Sequence, residues 1–285
     1  MNFRTLGDVP MEYLHRVSNA AYADYVEPVH LSLEQLQYLL ERRGYRPELS
    51  LGAFEGEDMV GFVFNGLGSW GGVPTAYDTG TAVLPEWRRK GVSTRLFAAL
   101  LPLLHEAGIR QYLLEVIKTN TGAVELYRKS GFVFSREFDY WSTTAAALRW
   151  RLKPLPPGVE VRPIAAPDWG LLSTFWDFEP SWQNSIDAVS RKLGNMAMLG
   201  AFHGDGLVAY GCLEYGTGDL PQLAVESRFR RRGLATALVR SLLNRVRPGE
   251  FRVTNTSTES AATSAFLRSL GMEPGAGQYE MTLPL

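Results

Sequence analysis

The feature that most constrains this chain is an internal repeat. Ala82-Val83-Leu84-Pro85-Glu86-Trp87-Arg88-Arg89-Lys90-Gly91-Val92-Ser93-Thr94 recurs as Ala224-Val225-Glu226-Ser227-Arg228-Phe229-Arg230-Arg231-Arg232-Gly233-Leu234-Ala235-Thr236, an offset of 142 residues (233 minus 91). Ser130-Gly131-Phe132 answers Leu270-Gly271-Met272 at nearly the same offset, 140 (271 minus 131). Solenoid repeats run to tens of residues, so a period this long predicts two copies of one domain. Between the copies, Lys153-Pro154-Leu155-Pro156-Pro157-Gly158 reads as an extended linker. The expected organisation is a first domain over 1–150, a proline-rich linker over 151–157 and a second domain over 158–285. The linker is followed by a new strand, Val159-Glu160-Val161-Arg162.

Composition removes several function classes. Among the 285 residues, 29 basic and 30 acidic side chains leave a net charge of −1. That balance argues against a nucleic-acid partner, which selects a basic face. The single cysteine, Cys212, excludes an intramolecular disulfide, and its apolar surroundings from Leu207 to Leu213 make it a poor nucleophile. His15, His30, His105 and His203 lack metal-ligand spacing. There is neither a signal-like start nor an apolar run of membrane-spanning length, so a cytoplasmic protein without a membrane partner is expected. Tandem fusion can replace a homodimer, so a monomer is expected.

The pattern in the first copy predicts helices over Met11–Ala23 and Ser32–Arg43, the latter opened by a Ser32/Gln35 capping box. Leu51–Phe54 and Val60–Phe64 read as strands around a Glu55–Asp58 turn, and Gly66–Gly72 as a glycine-rich loop. Further strands are expected over Thr79–Val83 and Gln111–Ile117, with a short helix over Ala123–Lys129. This is a mixed α/β sandwich rather than a doubly wound sheet. After each glycine turn the leucines recur at helical spacing: Leu96, Leu100, Leu103 and Leu104, then Leu238, Leu242 and Leu243.

Each repeated turn therefore lies between a strand and a long helix. A helix N-terminus presents unpaired N–H groups and partial positive charge, Gly91 allows close backbone approach, and Arg88, Arg89 and Lys90 add charge. These properties indicate a phosphate-binding turn without saying which phosphate. The spacing fits neither a nucleoside-triphosphate loop nor a dinucleotide fingerprint.

Arg88-Arg89-Lys90-Gly91-Val92-Ser93 and Arg230-Arg231-Arg232-Gly233-Leu234-Ala235 resemble the acetyl-CoA signature of the Gcn5-related N-acetyltransferases (GNAT). The first copy departs from it only by Ser93 in place of glycine or alanine. The resemblance implies two tandem acyl-CoA N-acyltransferase folds, with acetyl-CoA as cofactor and a primary amine of a small molecule or peptide as acceptor. It implies cofactor contacts from Val83, Leu84, Arg88, Arg89, Lys90, Gly91, Val92, Ser93 and Thr94, with Asn120. In the second copy the corresponding contacts are Val225, Arg230, Arg231, Arg232, Gly233, Leu234 and Ala235.

Glu115-Val116-Ile117-Lys118-Thr119-Asn120 and Leu126-Tyr127-Arg128-Lys129-Ser130-Gly131-Phe132 resemble the family's strand-and-helix motif. In its ribosomal-protein branch a glutamate twelve residues before the motif tyrosine acts as base, and Glu115 and Tyr127 keep that spacing. Glu115 is then the expected general base and Tyr127 the general acid, with Asp78 a competing base. Tyr25, Glu27 and Trp70 are expected around the acceptor. In the second copy Leu267, Ser260 and Asn255 stand where Tyr127, Asn120 and Glu115 do, so that copy is expected to be degenerate. The alternative reading is a non-catalytic acyl-CoA sensor of the same fold.

Overall fold

The computed structural model describes residues 1–25 and 30–285. It divides into two compact units, Met1–Arg136 with Tyr279–Leu285, and Glu137–Gln278. The first contains β1 (Asn2–Thr5), α1 (Met11–Tyr22), α2 (Leu33–Arg42), β2 (Leu51–Glu55), β3 (Asp58–Trp70), β4 (Val73–Val83), α3 (Val92–Glu106), β5 (Gln111–Ile117), α4 (Thr121–Lys129) and the beginning of β6 (Val133–Thr144). The second contains the remainder of β6, then β7 (Val159–Pro163), α5 (Trp169–Ser173), α6 (Ile186–Arg191), β8 (Met196–His203), β9 (Gly206–Glu214), β10 (Gln222–Val225), α7 (Leu234–Val246), β11 (Glu250–Ser257) and α8 (Ala261–Ser269). The last strand, β12 (Gln278–Pro284), belongs almost wholly to the first unit. The proline-rich segment 151–157 lies inside the second unit, because the division falls earlier, within β6.

In the first unit the strand order is β1-β2-β3-β4-β5-β12-β6. One face of this sheet carries α1 and α2, whose Leu14, Val17, Ala21, Leu36 and Leu40 pack with Phe54, Phe62 and Phe64. The opposite face carries α3 and α4, where Leu96, Phe97, Leu100 and Leu104 pack with Tyr112, Leu114 and Met281. The α2 capping box is present: the Gln35 N–H donates to Ser32 Oγ at 3.2 Å and the Ser32 N–H to Gln35 Oε1 at 2.8 Å.

The segment read as a glycine-rich loop is instead the far half of a long hairpin. β3 and β4 stay paired from Gly66↔Tyr77 to Trp70↔Val73, leaving Gly71 and Gly72 as the turn. Gly66 serves close approach rather than turning, since a Cβ there would lie 2.0 Å from the Arg43 carbonyl oxygen.

The second unit has a four-stranded antiparallel sheet, β10-β9-β8-β7, and a separate antiparallel pairing of β11 with the later part of β6. Its core joins Leu238 and Leu242 of α7 to Ala209 and Leu213 of β9. Cys212 is fully buried on β9. Among the described residues no helix is long and apolar enough to cross a membrane.

β12 is held in the first unit by charge as well as by packing. Glu280, 2% exposed, accepts from Arg136 Nη2 at 2.5 Å and Nε at 2.8 Å, and from Ser135 Oγ at 2.7 Å. Removing one partner of a buried pair leaves the other charge uncompensated. Arg136→Ala is expected to lower unfolding free energy by about 3 kcal/mol in denaturant titration. Replacing both residues by apolar side chains of similar volume is expected to cost much less.

Candidate functional site

The site in the first unit begins where two strands part. β4 and β5 run parallel only from Thr75↔Gln111 to Asp78↔Leu114, although β4 continues to Val83 and β5 to Ile117. Leu84 donates its N–H to the Val60 carbonyl on the β3 side at 2.9 Å. By strand alternation, the backbone groups of Thr81 and Val83 face the opposite side, where β5 has departed. Their carbonyls accept there from the Tyr22 hydroxyl at 3.2 Å and from Arg88 Nε at 3.1 Å.

A bulge sits at the parting. Phe64 pairs with Gly80 and Asn65 with Asp78, leaving Thr79 as the extra residue. In a regular strand residues 78 and 81 point to opposite faces, and the inserted residue brings them together. Asp78 Oδ2 accepts from the Thr81 hydroxyl at 2.6 Å and from the Tyr127 phenol at 3.3 Å, while Oδ1 accepts from the Gly80 N–H at 3.0 Å. Burial pushes the Asp78 carboxyl up to about 6; these three bonds and Arg43 pull the other way and do not overcome it. Tyr127 is the buried residue of α4, and its phenol is pushed well above its ordinary range, first by burial and then by Asp78.

The phosphate-type turn follows β4. Gly91 caps α3 at φ 73°, with no side chain capping the helix, and the α-helical ladder starts with the Arg95 N–H on the Gly91 carbonyl at 3.1 Å. The N–H groups of Val92, Ser93 and Thr94 thus remain available at an open helix start. A Cβ at Gly91 would meet nothing within 4 Å, so the turn is accessible, and glycine is there for the left-handed backbone. Arg88 does not present its charge to a ligand: it donates to Val83 O, to Ala21 O at 2.9 Å and to both Asp24 oxygens at 2.7 and 2.8 Å. Arg230 repeats this pattern with Val225 O at 3.0 Å, Phe175 O at 3.2 Å and Asp177 at 2.6 Å. Arg89 and Arg231 also share left-handed backbone, at φ 58° and 63°. Lys90 lies over the Trp87 ring at 4.8 Å. Both turns place helix-start N–H groups beside local cations, an arrangement suited to an anion, and at Gly91 the approach is open.

Of the expected catalytic residues, Asp78 and Tyr127 are joined by a hydrogen bond. Glu115 lies on β5 just past the parting and interacts with Tyr77, whose phenol is raised first by burial and then by that carboxylate. Asn120 is the N-cap of α4, accepting from the Ala123 N–H at 3.2 Å, and donates to the Tyr25 hydroxyl at 3.0 Å. Ser260 caps α8 through the Thr263 N–H in the same way, so this structural role persists in the second copy.

Of the expected acceptor residues, Tyr25 and Trp70 are not gathered together. Tyr25 packs edge-on against Tyr22 at 5.4 Å, whereas Trp70 lies at the hairpin end beneath Arg136, and Glu27 is outside the described residues. Trp70 is five residues beyond the Asn65–Asp78 pair, roughly 17 Å at ~3.4 Å per residue. Sequence reasoning missed Thr81, Asp24 and Arg43, whose Nη1 donates to Thr79 O at 2.9 Å. Nothing in the sequence signals the bulge, and only the recurrence of an aspartate partner, Asp24 and Asp177, offers a trace of the arginine bracket. Among the described residues no group of three or more His, Cys, Asp or Glu is placed to hold a metal ion.

The chain is similar over nearly its whole length to several solved structures. A tandem GNAT protein from the clavulanic acid biosynthesis pathway superposes with a TM-score of 0.73 at 16% identity, covering 99% of this chain and 98% of that one. A GCN5-related N-acetyltransferase from Sphaerobacter thermophilus gives a TM-score of 0.71 at 18% identity, covering 99% and 95%. A putative acetyltransferase from Pyrococcus horikoshii gives 0.66 at 15% identity, covering 100% and 89%. No curated protein matches the chain. At these identities the likeness establishes a tandem GNAT fold. The sequence pattern of the Acetyltransferase (GNAT) family matches residues 14–132 and again 161–272, once in each copy, and the chain belongs to that family.

Proposed function

We propose that the first unit transfers an acyl group, acetyl in the simplest case, from a coenzyme A thioester to a primary amine. The observation that carries this reading is the Tyr127–Asp78 hydrogen bond at the parting of β4 from β5, beside an open phosphate-type turn. Val92, Ser93 and Thr94 would hold the diphosphate through their N–H groups, and the exposed side of β4 would pair with the pantetheine arm. When bound, the thioester supplies an activated acyl carbon and a sulfur leaving group that needs a proton.

The chain's own residues handle that proton. An amine must lose one as it forms its new bond to carbon, and Asp78, poised near 6, can accept it. Tyr127 carries a proton at neutral pH, but leaving a buried phenolate is costly. The direct bond to Asp78 removes that cost: as Tyr127 releases its proton to the departing sulfur, it takes one from the newly protonated Asp78. One proton thus passes from amine to sulfur, and neither side chain is left in an unfavourable state. Asp78 is bonded directly to Tyr127, whereas Glu115 interacts with Tyr77. Arg88, held by Asp24 and two carbonyls, shapes the turn instead of contacting the ligand.

Three outcomes test the reading. Tyr127→Phe is expected to lower kcat about 10²-fold, the scale of a positioned acid, with coenzyme A affinity nearly intact. In the wild type, kcat/KM for an amine acceptor should rise with pH through about 6 as Asp78 ionises, and Asp78→Asn should abolish that limb and most of the activity. A limb that persists in Asp78→Asn and vanishes in Glu115→Gln would assign the base to Glu115. Arg88→Ala should weaken coenzyme A binding while leaving its salt dependence unchanged, whereas a direct phosphate contact would flatten that dependence.

A further inference from the structure

The second unit keeps the turn and loses the proton-handling pair. In the register set by the two glycine turns, Leu220 stands where Asp78 does (78 plus 142), and in that set by Gly131 and Gly271, Leu267 stands where Tyr127 does (127 plus 140). Both leucines are buried, at 2% and 1% exposure, and both line a cleft of about 530 Å³ contained within this unit. That volume suits a small-molecule ligand.

The amide side chains of the inner wall are bonded within the protein. Gln222 donates to the Asn184 carbonyl at 2.6 Å and accepts from the Tyr210 hydroxyl at 2.8 Å. Asn184 donates to Thr254 O at 2.9 Å, and Asn255 to Ser181 Oγ at 3.0 Å. With these amides bonded to the protein itself, Leu220, Val225, Leu234, Val253, Phe266 and Leu267 give the cleft an apolar lining beside them.

The exposed rim is cationic. Arg151, Lys153 and Arg231 all line the cleft, and neither arginine has an ion-pair partner among the described residues. The rim carboxylate Asp177 is neutralised by Arg230 at 2.6 Å. An arginine fork matches a carboxylate head in both charge and shape.

The segment carrying Arg151 and Lys153 also restricts the turn. A Cβ built on Gly233 would meet Lys153 Cβ at 3.1 Å, where Gly91 meets nothing within 4 Å, and Lys153 Nζ donates to Arg231 O at 3.4 Å. Gly233 and Thr236 are half-buried, whereas Gly91 and Thr94 are exposed. A diphosphate has less room here than in the first unit.

We infer that this cleft is a second, unreactive binding site for an amphipathic anion, an apolar chain headed by a carboxylate, and that it does not take coenzyme A. The test is titration calorimetry on the full chain with decanoate and coenzyme A, separately and together. Decanoate should bind at one equivalent whether or not coenzyme A is present, and coenzyme A should reach no more than one. The double variant R151A/K153A, both positions exposed, should weaken decanoate at least tenfold and leave the coenzyme A titration unchanged. The inference is overturned by no decanoate binding, by displacement of decanoate on filling a second coenzyme A equivalent, or by unchanged decanoate affinity in the double variant. Decanoate binding with no coenzyme A bound at all would uphold this site while sinking the reading of the first unit, so the two fail separately.

Discussion

Four residue pairs of parallel strand, Thr75–Asp78 against Gln111–Leu114, join β4 to β5 before the strands separate, and the site of the first unit follows from that limit. Backbone groups that lose a ladder partner must find another. On β4 the carbonyls of Thr79, Thr81 and Val83 are met by Arg43, Tyr22 and Arg88, so three side chains from elsewhere in the unit are drawn to the gap. The bulge at Thr79 then turns Thr81 toward Asp78, and the carboxylate is buried with enough bonds to persist but too few to behave as an exposed one.

The turn after β4 shows a similar balance in both copies. A non-glycine residue in left-handed backbone costs about 1 kcal/mol, yet Arg89 and Arg231 both adopt it. In each case the preceding arginine binds two carbonyls and an aspartate, which holds the distorted turn in place. Both copies have this mechanical arrangement and the helix caps Asn120 and Ser260, but only the first has the Asp78–Tyr127 pair. Packing explains the difference. A leucine at position 220 or 267 adds to the core of its unit, whereas an aspartate there needs the full set of partners that Asp78 has.

The sequence by itself determined the duplication, the strand-turn-helix context of both glycine turns, most helices and strands, and the family. Those properties are local: leucines at helical spacing, a Ser32/Gln35 cap, a glycine at a left-handed position. They are written in neighbouring residues and survive any change in what lies across the sheet. The full length of the β3–β4 hairpin was hidden because Gly66 answers to the Arg43 carbonyl, a residue distant in sequence.

Only the tertiary structure decided which residues meet. It brought Tyr127 to Asp78, turned Glu115 to Tyr77, tied Arg88 to Asp24, and put the last strand of the chain into the sheet of the first unit. Each of these joins residues far apart in the chain, and no local propensity encodes such pairings. They arise from burial and from the requirement that every buried polar group find a partner, a condition satisfied across the whole fold at once.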